Sequence, residues 1–283
     1  MQKKGYLVLI GGAEDKSQEK IILKETVRLN NARKVVVIPT ASSYPSDLGN
    51  NYYYAFRDLG VEIIEVIDVR TRSDANRNEY LKKLTDTDIV FFTGGDQVKL
   101  VDILSDTKLH RKILRLYKSG VTIAGTSAGA AAASDPLIYS GDDKGLFKGE
   151  VRHDRGFGFL KNITVDTHFS ARIRLQRLTQ FLLSGYSLRG IGIDEDTAII
   201  INSNNEFEVI GSGSVTVVNT RWVSFSDYHE VRNNNPFSVN GVHVGFLQPG
   251  TIFNTQYWKI IETRTKRNSP LPENSYSGIY YNS

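Results

Sequence analysis

The chain has no cysteine among its 283 residues, and only one methionine, two tryptophans and seven prolines. Without cysteine there is no disulfide, no thiolate metal ligand and no cysteine nucleophile. No stretch reaches the run of about 18 apolar residues that spans a membrane. No long Lys/Arg run marks a nucleic-acid patch, although the formal net charge is +4. The first residues, Met1-Gln2-Lys3-Lys4-Gly5-Tyr6, lead into a short strand pattern and not into an apolar segment of signal-peptide length. The expectation is a cytoplasmic protein with no nucleic-acid and no membrane partner. What the chain does have is 40% hydrophobic and 23% charged residues. That composition builds a real core and excludes a disordered chain.

In the first two thirds, short apolar runs alternate with amphipathic stretches. Residues 6–10, 34–39, 61–69, 88–93 and 121–124 read as strands. Residues 17–30, 52–59, 78–84, 96–104 and 108–119 read as helices, and 40–48 as a polar loop. Continuous β-branched runs between helices predict an α/β fold, with a mostly parallel sheet covered by helices on both faces. From about residue 200 the texture changes. Short alternating segments at 198–201, 206–210, 214–219 and 242–246, punctuated by Asn, Ser and Gly, predict antiparallel β structure. No Pro/Gly-rich linker separates the two parts. One domain over 1–283 is therefore predicted, with an α/β core at 1–200 and a β-rich extension at 201–265. The tyrosine-rich tail at 266–283 has no assigned role.

The sharpest motif is Gly125-Thr126-Ser127-Ala128-Gly129, between a strand and a helix-prone run. In that context G-x-S-x-G is a nucleophile elbow. The serine sits on a strained turn and projects its hydroxyl at the carboxyl end of the sheet. The N–H of Ala128 then aims at a developing oxyanion, helped by the helix N-terminus. A serine needs a base, and there are only five histidines. His168 stands out because an apolar strand ends there, and Ser170 is placed to cap a following helix. Strand ends meet in a parallel sheet, so His168 and Ser127 are expected to meet across neighbouring strands.

A third group should orient the imidazole. The acids between Ser127 and His168 include Asp135, Asp142, Asp143, Glu150 and Asp154. Asp142 and Asp143 lie in the Gly-containing loop Ser140-Gly141-Asp142-Asp143-Lys144-Gly145, which can bend back over the site; the sequence does not choose between them. A second glycine turn, Thr93-Gly94-Gly95-Asp96-Gln97, can form a nest of backbone N–H groups. It makes Gly95 or Asp96 the candidate second oxyanion donor, and Gln97 offers an amide suited to a peptide group.

After His168 a predicted helix carries Arg172, Arg174 and Arg177. Leu175, Leu178 and Leu182 form its buried stripe. Guanidinium forks suit carboxylates, so the arginines read as substrate ligands, with salt bridges to surface acids as the plain alternative. The run Asp194-Glu195-Asp196 ends another strand. It suits a cationic substrate group, a metal, or internal pairing with the arginines.

Together these residues resemble the cyanophycinase family of serine peptidases, related to the aspartyl dipeptidases. The resemblance runs through Leu9-Ile10-Gly11-Gly12-Ala13-Glu14-Asp15-Lys16, Ile38-Pro39-Thr40-Ala41-Ser42, Thr93-Gly94-Gly95-Asp96-Gln97 and Gly125-Thr126-Ser127-Ala128-Gly129-Ala130. It continues through Asp166-Thr167-His168-Phe169, the three arginines, Gly192-Ile193-Asp194-Glu195-Asp196-Thr197-Ala198 and Val209-Ile210-Gly211-Ser212-Gly213. It implies a fold similar to class I glutamine amidotransferases, a homodimer, and no metal or other cofactor. It also implies a substrate: cyanophycin, a poly-aspartate with arginine on each β-carboxyl, or a β-aspartyl peptide. Ser127 matches the family nucleophile and His168 the family base. Gln97, Arg172, Arg174 and Arg177 match substrate-site positions. Thr167 stands where the family commonly has Gln, which relaxes a substrate contact. The alternatives are an aspartyl or isoaspartyl dipeptidase of the same fold, an α/β-hydrolase esterase suggested by the elbow alone, and a non-catalytic binding protein.

Overall fold

The computed structural model describes residues 4–141 and 145–264. The predicted tail at 266–283, and with it Asp142 and Asp143, lie outside these residues. Five strands form the parallel part of the main sheet: β1 (Leu7–Ile10), β2 (Lys34–Ile38), β3 (Ile63–Val66), β4 (Ile89–Phe92) and β5 (Thr122–Thr126). Their order is β1-β5-β4-β2-β3. On the other side of β1 the sheet continues antiparallel through Thr197–Ile201, Glu206–Gly211, Thr251–Asn254 and Lys259–Thr263, giving nine strands. Three strands of the β-rich extension thus continue the same sheet.

Successive side chains of a strand face opposite ways, and the apolar runs of β1, β2 and β4 use both. Val8, Ile10, Val35, Val37, Ile89 and Phe91 pack against Ile22 and Leu23 of α1 (Ile21–Arg28) and Tyr52 and Phe56 of α2 (Pro45–Asp58). A short α3 (Asn78–Lys83) follows. Leu7, Leu9, Val36, Ile38, Val90 and Phe92 face the other way. They meet Leu100 and Leu104 of α4 (Gln97–Leu104) and Leu109 and Ile113 of α5 (Lys108–Lys118). This is the α/β class expected of continuous apolar strands.

Two helix boundaries differ from the periodicity. The α1 helix starts at Ile21 because the Asp15 carboxylate accepts the N–H groups of Ser17, Gln18 and Lys20 at 2.8–2.9 Å, holding that stretch in a turn. The α2 helix starts at Pro45, inside the expected loop, since the fixed φ of proline suits a first helical position.

A second, four-stranded sheet has the order Thr164–Thr167, Arg189–Ile193, Val215–Asn219, His243–Leu247. Val165, Ile191, Ile193, Val215 and Val217 on one face join the main core. On the other face Val218 meets Leu178, Phe181 and Leu182 of the helix that follows the first of these strands. The α6 helix (Ala128–Ala131) is short, and α7 (Leu175–Leu183) starts at the first leucine of its apolar stripe, later than a cap at Ser170 would place it. Ser170 is therefore not its cap. Residues 169–174 form a turn, with Ile173 at φ 51°, and Arg172 and Arg174 precede the helix.

Candidate active site

The site lies where the two sheets meet at the carboxyl end of β5. Ser127 follows β5 directly and has φ 51° and ψ −112°. For a residue with a side chain that backbone is strained. The turn is held by the Ser127 N–H, which donates to the Ile10 oxygen at 2.9 Å. Glycine at 129 lets α6 lie close to β4: a Cβ there would stand 2.5 Å from the Phe92 oxygen.

His168 ends the first strand of the second sheet, so it meets Ser127 across two sheets and not across neighbouring strands of one. The link is the segment after β1. His168 N–H donates to the Gly11 oxygen at 2.8 Å, and Asp196 N–H donates to the Gly12 oxygen at 2.8 Å. Gly12 has φ +102°, and a Cβ on it would lie 2.3 Å from His168 Cε1. Only glycine leaves room for the ring.

The ring contacts set its chemistry. Ser127 Oγ is 2.8 Å from His168 Nε2, and His168 Nδ1 is 2.6 Å from Glu195 Oε1. A carboxylate only accepts, so Nδ1 carries the proton and Nε2 is free to accept from the serine hydroxyl. The acid on the imidazole is thus Glu195, which the sequence placed only in a run of three. The strand ending at Thr167 pairs in parallel with the strand ending at Ile193, so residues 168 and 195 leave adjacent strand ends. That signal was present, but a search confined to the chain between Ser127 and His168 passes it by.

Glu195 is the member of its run left for this role. Asp194 accepts the Ser170 N–H at 3.0 Å, the Ser214 N–H at 3.1 Å and the Ser214 hydroxyl at 2.7 Å. Burial alone would raise the Asp194 carboxyl, but the hydrogen bonds from Ser170 and Ser214 outweigh it and hold the group below its ordinary value. Asp196 accepts the Asp15 N–H at 3.1 Å and the Ser212 hydroxyl at 2.7 Å. The two aspartates pin the turn; among the described residues the ion pairs of Arg174 and Arg177 go to Asp166 instead.

The second glycine turn borders the serine: a Cβ on Gly94 would stand 3.4 Å from Ser127 Cβ. Asp96 is not an oxyanion donor. Its N–H donates to the Ala41 oxygen at 2.9 Å, and its carboxylate caps α4 through Val98 N (2.8 Å) and Lys99 N (3.1 Å). Gly95 N–H and Ala128 N–H make no such bond among the described residues. The Gln97 amide sits 3.4 Å from the Ile138 and Tyr139 oxygens.

The three arginines divide. Arg174 Nη1 lies 2.9 Å from Asp166 Oδ1 and donates to the Thr167 oxygen at 2.6 Å; Arg177 Nη2 lies 3.1 Å from the same Asp166 oxygen. The Arg177 side chain is only 5% exposed and that of Asp166 2%. These two guanidinium groups brace a buried carboxylate, against the expectation that they face substrate. Thr167 is buried too and presents little surface to a ligand. Arg172 is exposed and has no ion pair among the described residues.

Known proteins resemble this chain over most of its length. The family model described as peptidase family S51 matches residues 7–210. A cyanophycinase of Synechococcus elongatus is 36% identical over 255 residues, covering 89% of this chain and 79% of the relative. A cyanophycinase of Geminocystis herdmanii is 34% identical over 255 residues, covering 88% and 93%. The crystal structure of a peptidase from an acI-B1 Actinobacterium superposes with TM-score 0.65 at 25% identity, covering 76% of this chain and 91% of the other. With a serine, a histidine and a carboxylate in hydrogen-bonded sequence inside the matched region, the chain belongs to peptidase family S51.

Proposed function

We propose that this protein is a serine peptidase that hydrolyses cyanophycin to β-aspartyl-arginine dipeptides through an acyl-enzyme. The observation that carries the reading is the relay from Ser127 Oγ to His168 Nε2 (2.8 Å) and from His168 Nδ1 to Glu195 Oε1 (2.6 Å). Ser127 attacks the scissile carbonyl carbon as its proton passes to Nε2. Glu195 keeps the ring in the required tautomer and stabilises the imidazolium. The N–H groups of Ala128 and Gly95 take the oxyanion. The imidazolium then protonates the leaving amine. Water, deprotonated by His168, opens the ester, releasing a carboxylate and restoring the serine.

Each arginine of the polymer, joined through its α-amine, keeps a free carboxylate. Arg172, exposed and unpaired among the described residues, suits it. The cyanophycinase relatives at 34–36% identity support this substrate. The same reading takes residues 1–283 as one catalytic domain, acting as a homodimer in the cytoplasm. The test is incubation with purified cyanophycin and mass spectrometry for β-Asp-Arg, with Ser127→Ala as control. Release by the native chain alone is the expected result. A folded sample that releases none, while Ser127 reacts with a fluorophosphonate probe, overturns the substrate. Cleavage of free β-aspartyl dipeptides without attack on polymer moves the assignment to a dipeptidase.

A further inference from the structure

The relay leaves one buried carboxylate unused. Glu14 is 3% exposed and lies on the segment that follows β1. One oxygen accepts the Thr126 hydroxyl at 2.6 Å; the other accepts the Tyr52 hydroxyl. Lys16 Nζ stands 3.5 Å from the second oxygen and lies over the Tyr52 ring at 5.4 Å. Burial, with the Glu14 charge beside it, pushes the Tyr52 hydroxyl well above its ordinary range, so it remains a donor. A buried carboxylate with two hydroxyl donors and a cation is fully satisfied, and removing a partner is costly.

The position of this cluster gives it a use. Thr126 is the residue before the strained Ser127. The segment 11–15 that carries Glu14 also holds the other half of the site: Gly11 and Gly12 oxygens accept from His168 and Asp196, and Asp15 N–H reaches Asp196 Oδ1 at 3.1 Å. Glu14 is the side chain that fastens this segment to the nucleophile strand from within the core. Tyr52, on α2, backs it from the helical layer.

We propose that Glu14 is a positioning residue: through the Thr126 hydroxyl it sets where the Ser127 turn stands relative to the His168 ring. It touches no reacting atom. The inference rests on Ser127 being the nucleophile. It locates part of the site's precision in the Gly11-Gly12-Ala13-Glu14 stretch, far from the elbow in sequence. A misplacement on the order of 1 Å at a reacting pair costs roughly 100-fold in rate.

The experiment compares Glu14→Gln, Thr126→Val and Thr126→Ser, each checked by thermal melting. The readouts are the fluorophosphonate labelling rate of Ser127, and kcat and KM for peptide release. Glu14→Gln and Thr126→Val should label and turn over about 10- to 100-fold more slowly, with KM within about twofold of native. Thr126→Ser, which keeps the hydroxyl, should recover most of the loss. Folded Glu14→Gln and Thr126→Val proteins that label at the native rate overturn the proposal, as does an equal loss in Thr126→Ser. If Glu14→Gln does not fold, Thr126→Val against Thr126→Ser decides alone. A native chain that is never labelled by the probe removes the nucleophile reading, and this inference with it.

Discussion

Ser127 and His168 arrive at one 2.8 Å contact from different kinds of local structure. The serine stands on a sharp turn of the parallel sheet, and the glycine and alanines around it are needed within a few residues of chain. The histidine stands at the end of a second sheet, and what places it comes from far away in sequence: Gly12 beneath the ring and Glu195 beside it, 27 residues on. The shape of the nucleophile turn is a local device, braced from a distance by the Ile10 oxygen and Glu14. The base side is a tertiary assembly throughout, and small changes remote from it should disturb it most.

The largest test of that contrast concerns the acid. Glu195→Gln should lower kcat by about 10³- to 10⁴-fold, because the ring loses the partner that fixes its tautomer. Asp142→Asn and Asp143→Asn should each stay within a few-fold of native. The reverse outcome would move the acid to the 140–145 loop and make the base side local after all. Next is Gly12→Ala. Its methyl would enter the space of His168 Cε1, so the ring must shift, and labelling of Ser127 should slow by roughly 100-fold. A native labelling rate would show that the ring relaxes freely.

The arginines sharpen the comparison further. Arg177→Met removes a partner from a carboxylate that is 2% exposed, and should cost about 3 kcal/mol of stability. Arg172→Ala should leave the melting temperature nearly unchanged and raise KM for polymer about tenfold, or ~1.4 kcal/mol. Melting curves and kinetics on both variants read this out. An unchanged KM in Arg172→Ala would remove the proposed carboxylate contact.

The smallest effect is a pH dependence at Asp194, whose carboxyl is held low in the folded chain. Its contribution is present above the unfolded carboxyl value of about 3.9 and fades as pH falls through the lower folded value. Asp194→Asn should therefore melt below native at pH 7, with the gap closing in acid. A gap that persists unchanged at pH 2 would show that the hydrogen bonds, and not the ionised group, hold the Ser170–Ser214 turn.

The sequence by itself determined a good deal: the α/β class, the strands β1, β2, β4 and β5, and the candidates Ser127 and His168. Continuous apolar runs and a five-residue turn motif are local, so their physics is complete within a short window. Other features were decided only by the tertiary structure. A carboxylate is equally at home on a loop or beside an imidazole, and nothing near Asp142, Asp143 or Glu195 distinguishes them until the pairing of Thr167 with Ile193 puts two strand ends side by side. The nest turn predicted a donor at Gly95 or Asp96; the Ala41 oxygen takes the Asp96 N–H. Three arginines looked alike, but the buried carboxyl of Asp166 draws Arg174 and Arg177 inward and leaves Arg172 outside. Polar side chains choose their partners by what folding brings within about 3 Å, and that distance is not written in sequence spacing.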